Sequence, residues 1–238
     1  MIKITILISM LVTSVFPVDY INYGKFKNND SLFLEKDIKK LSSKFLGVKY
    51  VSHTLSNNNI NSQKENLIID FDALDCFTYI DTIEALKSSH DKISFVNSLI
   101  DTRYKSGKIT YENRNHFFSD WIESNSMIDI TCTLGNCQEK IKYLNQNEKY
   151  LKEIKTVKRK ISYINTKDID SSLLLDGDYV GIYTDKEALD VTHTGIIIKN
   201  DNKIFLRHAS SLKKEIIDSD LFEYTKNKLG IVVYRSTN

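Results

Sequence analysis

Leu74-Asp75-Cys76-Phe77-Thr78-Tyr79 places a cysteine where the sequence pattern turns helical. Phe77, Ile80, Ile83 and Leu86 recur on one face, so Cys76 falls at or just before the first turn. Unpaired backbone N–H groups and the positive end of the helix dipole favour a thiolate there. A thiol nucleophile also needs a base within reach and a third group to orient that base. Two downstream segments offer both: Val191-Thr192-His193-Thr194-Gly195-Ile196 and Leu206-Arg207-His208-Ala209-Ser210.

The two histidines belong to a hairpin whose register follows from its turn. With Asp201-Asn202 as a two-residue turn, Asn200 pairs with Lys203, Gly195 with His208 and His193 with Ser210. His193 and His208 then lie diagonally on one face, roughly 7–8 Å apart at Cα, and Gly195 leaves room for their rings. A three-residue turn would separate them. The roles that follow are Cys76 as nucleophile, His193 as its base and His208 as the group that fixes the His193 tautomer. A cysteine first and histidines later is also the chain order of papain-like enzymes.

Working outward, Leu34, Ile38, Leu41 and Phe45 predict an amphipathic helix over 32–46, ended by Gly47. Residues 18–31 are polar, carry no period and read as a loose leader. Asn57-Asn58-Asn59-Ile60-Asn61-Ser62 is a loop, and Leu67-Ile68-Ile69 a short strand or extended segment. A further helix fits 94–105, with Phe95, Leu99 and Thr102 on one side. Residues 106–165 are rich in tyrosine and lysine and give no clear period. The last third reads as strands: 179–183, 194–198, 204–206 and 231–234. Helices first and strands later indicate an α+β fold, with residues 32–238 as one domain.

The chain has 238 residues, 41% of them hydrophobic, enough for a sizeable core. Its net charge of +2 announces no nucleic-acid surface. Residues 1–17 resemble a secretory signal: Lys3 precedes an apolar run from Ile4 to Val15, too short to span a membrane as an ordinary helix. The competing reading is a buried N-terminal strand. With no cysteine before Cys76, a lipid-modified N-terminal cysteine is excluded, and no stable membrane anchor is expected. The expectation is a periplasmic or secreted monomer. Cys132 and Cys137 are close enough in sequence for a bridge or for two ordinary buried thiols, and Cys76 has no sequence-near partner.

Other residues bear on ligand binding. Arg114-Asn115-His116-Phe117-Phe118-Ser119-Asp120-Trp121 groups a cation, an imidazole, two rings and the only tryptophan. Arg114, His116 and Trp121 are candidates for a cleft wall, with ordinary packing as the bland alternative. Asp75 suits a substrate amine or a helix cap, capping being the commoner use. His53 and His90 read as solvated. Cys132, Cys137 and His116 match no strong zinc spacing, so no metal or cofactor is expected.

Phe45-Leu46-Gly47-Val48-Lys49-Tyr50-Val51-Ser52-His53-Thr54-Leu55 resembles the first block of a branch of the NlpC-type, papain-fold murein hydrolases. Leu74 to Tyr79 resembles its nucleophile motif. Arg103-Tyr104-Lys105-Ser106-Gly107, the segment from Arg114 to Ile122, Asp176-Gly177-Asp178, Leu189 to Ile196 and His208-Ala209-Ser210-Ser211 resemble further blocks, in order. The branch is the AmiA-like, N-acetylmuramoyl-L-alanine amidase-like family, and the likeness covers most of 40–236. Each block is weak alone; their order and number are specific. The resemblance implies a papain-like core with a mainly antiparallel sheet, and a Cys76–His193–His208 site with Tyr50 as an active-site tyrosine. It implies a cysteine amidase acting between N-acetylmuramic acid and L-alanine on small muropeptides, anhydro-sugar ones included. Tyr163-Ile164-Asn165 departs from the family by lacking a proline. Two other functions compete: an endopeptidase cutting between γ-D-Glu and the diamino acid, and a non-catalytic wall-binding module. The first should cut a peptide lacking the sugar; the second should bind without turnover.

Overall fold

The β-strands of the last third alternate between two cores. Tyr179, Ile196, Ile198, Ala209, Val232 and Tyr234 join one buried cluster. Val180, Ile182, Ile197, Leu206, Ile231 and Val233 join the other. A sheet covered on both faces explains why these strands are near-continuous apolar runs. The computed structural model describes residues 18–55, 65–201 and 203–237. The expected signal segment and the expected Asn57–Ser62 loop lie outside the described residues.

In chain order the elements are β1 (Val18–Asn22), α1 (Ile38–Ser43), β2 (Lys49–Tyr50), β3 (Leu67–Asp70), β4 (Ala73–Leu74), α2 (Cys76–Lys87) and α3 (Lys92–Arg103). There follow α4 (Phe118–Ser124), β5 (Ile128–Asp129), β6 (Gln138–Leu144), β7 (Val157–Tyr163), β8 (Tyr179–Tyr183), β9 (Val191–Asn200), β10 (Lys203–Ser210), β11 (Glu215–Asp220), α5 (Leu221–Thr225) and β12 (Ile231–Arg235). The main sheet has eight strands in the order β4-β2-β11-β10-β9-β8-β12-β5. Its pairings are antiparallel except β2 with β4. The fold is mixed α+β, as the strand and helix patterns predict.

The hairpin register is the one the turn argument requires: Lys203 pairs with Asn200 and Arg207 with Ile196. Asp201 takes a positive φ of 49°, as a primed hairpin turn demands. A Cβ on Gly195 would stand 3.1 Å from the His208 Cβ and 2.8 Å from the Arg207 carbonyl, so only glycine fits beside His208.

Two expectations need correction. Residues 18–31 are not a loose leader. β1 pairs in parallel with β3, and Phe26 is buried among Phe45 and Phe71. Their polarity hid the apolar residues that anchor the segment. The helix expected over 32–46 is confined to Ile38–Ser43, because the Asp37 side chain accepts the Lys40 N–H and starts the helix there. A separate 3-10 turn at Asp30–Leu32 precedes it. The unassigned middle forms α4 and a two-stranded hairpin, β6 with β7.

The helix α2 is buried on nearly every side from Thr78 to Leu86. Its buried charges are therefore matched by partners. Asp81 accepts Arg103 Nε at 2.9 Å and Trp121 Nε1 at 2.8 Å. Glu84 accepts the Tyr179 hydroxyl at 2.7 Å and pairs with Lys87 at 3.0 Å. These bonds hold the helix that carries Cys76 against α3, α4 and β8.

Candidate active site

Cys76 is the first residue of α2, and the local sequence fixes it there. Asp75 is the N-cap: its side chain accepts the N–H groups of Phe77 and Thr78, and Thr78 Oγ1 answers the Asp75 N–H, closing a capping box. The sequence left open whether Asp75 caps or binds an amine; it caps, while also bordering the cleft.

A cleft of about 550 Å³ opens at this helix start. Its walls include Tyr50, Asp75, Cys76, Tyr111, Arg114 and His116. Tyr50, Arg114 and His116 are thus brought together as expected. The Arg114 guanidinium lies over the Tyr111 ring at 5.0 Å and approaches Glu65 at 3.5 Å. His116 Nε2 is 2.7 Å from the Tyr111 carbonyl. Burial, reinforced by the Arg114 charge, pushes His116 down to about 4, so it stands neutral near pH 7 and donates to that carbonyl.

Trp121 is not on this wall. It is fully buried, stacked on Phe118 and bonded to Asp81. Its neighbours in sequence are also core, and Tyr111 and Tyr150 supply the aromatic surface instead. His53, read as solvated, also borders the cleft.

The two imidazoles meet as the register predicts. His193 Nε2 lies 2.7 Å from His208 Nδ1, with ring centroids 4.8 Å apart and planes at 89°. His208 Nε2 continues to Ser219 Oγ at 3.0 Å, on the adjacent strand β11. A consistent proton order is His193 Nε2–H to His208 Nδ1, then His208 Nε2–H to Ser219. That order leaves His193 Nδ1 as a free acceptor. Thr194, next to His193, donates Oγ1 to the Cys76 carbonyl at 2.9 Å and so ties β9 to the start of α2. The Tyr224 ring sits 4.9 Å from His208 and 6.1 Å from His193. Ser219, Thr194 and Tyr224 escaped the sequence reading. Ser219 was findable, because extending the pairing from β10 to β11 sets it opposite Leu206.

Electrostatics give a neutral resting site. Burial first, then the Asp75 charge, push the Cys76 thiol up to about 11, against hydrogen bonds from Thr194. Burial first, then His208 and Lys228, push His193 down to about 3. Burial likewise takes His208 down to about 4, opposed by Asp218. The expected thiolate is therefore not the resting form. A rise of the thiol from 9.0 to about 11 is worth roughly 3 kcal/mol, whereas a helix terminus supplies about 0.3–1 kcal/mol. Desolvation wins. Cys132 and Cys137 form a disulfide with Cα atoms 5.0 Å apart, which leaves Cys76 as the free cysteine.

The model of one family, AmiA-like (N-acetylmuramoyl-L-alanine amidase-like), matches residues 40–231. The chain belongs to the AmiA-like family. Solved structures agree with that placement. An N-acetylmuramoyl-L-alanine amidase from Bacteroides uniformis ATCC 8492 is 27% identical, with a TM-score of 0.74, over 85% of this chain and 98% of that one. A second structure carrying the same description is 26% identical, with a TM-score of 0.73, over 86% of this chain and 100% of that one. Protein LPG0564 from Legionella pneumophila shares the fold, at 24% identity and a TM-score of 0.72 over 85% of this chain and 88% of that one. No curated protein matches. Within this AmiA-like chain the family match takes in Cys76, His193, His208 and every residue named on the cleft wall.

Proposed function

We propose that this AmiA-like chain is a secreted cysteine amidase of the papain-like, NlpC type. It hydrolyses the bond between N-acetylmuramic acid and L-alanine in peptidoglycan fragments. The observation that carries the chemistry is the His193–His208 contact of 2.7 Å, on the strand tied through Thr194 to the free cysteine Cys76. The observation that carries the bond is family membership, together with the amidase description of the Bacteroides uniformis structures.

Cys76 Sγ attacks the lactyl amide carbonyl as His193 Nδ1 takes the thiol proton, so no standing ion pair is needed. The Cys76 backbone N–H, the first-turn donor that Asp75 does not take, faces the developing oxyanion. His193, now an imidazolium, gives its proton to the departing L-alanine nitrogen. Water then attacks the lactyl thioester with His193 again as base, which frees the sugar acid and restores the thiol. His208 accepts the His193 Nε2–H throughout and is steadied by Ser219. It acts as a positioning residue, and its hydrogen bond strengthens while His193 is charged. Tyr50, Arg114 and His116 bind the fragment, and Asp75 shapes the helix start.

The Cys132–Cys137 disulfide supports an oxidising compartment, in keeping with export. Among the described residues no helix is long and apolar enough to cross a membrane. A matched pair of substrates tests the bond. The muramoyl peptide should be cut and the same peptide without its sugar should stay intact. Efficient cutting of the sugar-free peptide would instead identify the γ-D-Glu endopeptidase.

A further inference from the structure

The hairpin of β6 and β7 reaches the catalytic cleft at one end and a second depression at the other. Tyr150 and Leu151, in the connection between the strands, border the cleft. Gln138 and Tyr163 pair at the opposite end. Seven residues of strand set the two places roughly 20 Å apart at about 3.3 Å per residue. The second depression has a volume of about 430 Å³. Gln138, Tyr163, Asn165, Lys167, Asp168 and Leu229 line it.

Its chemistry is specific. The Tyr163 ring stacks on the buried Tyr183 ring at 3.8 Å and 3°, which fixes it as a flat platform. The Tyr163 hydroxyl donates to Gln138 Oε1 at 2.7 Å, so the Gln138 amide points its N–H groups elsewhere. Asn165 Oδ1 accepts the Lys167 N–H at 3.0 Å, which commits its acceptor and leaves its N–H groups. Lys167 and Asp168 carry opposite charges, so the depression favours no net ionic ligand. Leu229 is half exposed and adds an apolar patch. The walls are stiff. The Cys132–Cys137 disulfide tethers the segment before Gln138. Gly135 packs so closely that a Cβ there would stand 2.1 Å from the Asp168 carbonyl.

A fixed aromatic face, free amide donors, one carboxylate acceptor and a small apolar patch suit a pyranose. The ring's C–H face lies on Tyr163, its hydroxyls meet the amides and Asp168, and an acetamido methyl meets Leu229. We propose that this depression binds a neutral N-acetylated saccharide and so holds glycan away from the catalytic cleft. The site stands whichever amide the cleft cuts, because it shares no residue with the cleft.

The test uses the full chain and the β-1,4-linked tetramer of N-acetylglucosamine, titrated by calorimetry and by amide chemical-shift mapping. Saturable binding is expected, with shifts centred on Gln138, Asn165 and Lys167. Gln138→Ala and Tyr163→Leu should each weaken it at least tenfold. Turnover of a monomeric muropeptide should stay unchanged in both variants. The Gln138 side chain is outside the core, so its truncation reads binding even if the tyrosine variant folds poorly. No saturable binding at millimolar sugar, shifts centred on the catalytic cleft, or undiminished binding by Gln138→Ala would each overturn the proposal. A chain that binds the tetramer but cuts no muropeptide would refute the catalytic reading and leave this one standing.

Discussion

Replacing His208 with alanine removes the acceptor that holds His193. The lost contact is the 2.7 Å bond from His193 Nε2 to His208 Nδ1, in a place where His208 is only 1% exposed. In the ground state both rings are neutral. In the transition state His193 carries the thiol proton, so the bond becomes one to a charged donor, worth about 1.5–3 kcal/mol. The neutral bond already present in the ground state is worth about 0.5–1.5 kcal/mol, so the differential loss is about 1–1.5 kcal/mol and kcat/KM should fall roughly 5- to 13-fold. The pH profile should move as well. Burial depresses the His193 pKa. The neutral His208 acceptor works against it by favouring the charged ring, so its loss lowers the His193 pKa further and the acid limb of kcat/KM shifts to lower pH. The assay is the rate of muramoyl-peptide cleavage across pH, with thermal unfolding as a check on folding. His208→Gln, which offers an acceptor oxygen in place of Nδ1, should recover part of the loss. An unchanged rate and an unchanged pH profile in His208→Ala would refute the positioning role.

Cys76→Ala should abolish turnover and His193→Ala should come close to it. The double variant should cost little more than either alone, because the pair acts as a unit; additive losses would argue that they act separately. Alkylation of Cys76 by iodoacetamide should keep rising on the alkaline side of neutral, since a thiol held near 11 stays protonated there. A rate already level below neutral would mean a standing thiolate. Ser219→Ala removes a bond between neutral partners that is present in ground and transition state alike, so it should cost about 0.5–1.5 kcal/mol of stability and lower kcat/KM only slightly. A loss as large as that of His208→Ala would show that Ser219 does more than steady the ring. Trp121→Phe leaves one Asp81 oxygen without its indole donor and should destabilise the fold by about 1–3 kcal/mol with the Michaelis constant unchanged. A raised Michaelis constant in a fully stable variant would put Trp121 back at the ligand.

The legible parts of this chain were those set by local rules. The Asp75–Thr78 capping box starts the cysteine helix, and the Asp201-Asn202 turn fixes the parity that puts His193 and His208 on one face. The order of short motifs gave the family, which the match over residues 40–231 bears out. What escaped depends on distant partners. Trp121 looked like a ligand wall because its own stretch is mixed, yet Asp81, forty residues earlier, draws it into the core. Residues 18–31 looked loose because the partner of β1 is β3, across a long intervening segment. The thiol's protonation state turned on burial, which no spacing reveals.

Mass analysis of the products from a defined N-acetylmuramoyl peptide, with wild-type protein and Cys76→Ala side by side, tests the central claim most directly. The wild type should release free N-acetylmuramic acid and an intact peptide beginning with L-alanine, and the variant should leave the substrate unaltered. Cleavage at a different bond, or the same products from Cys76→Ala, would contradict it.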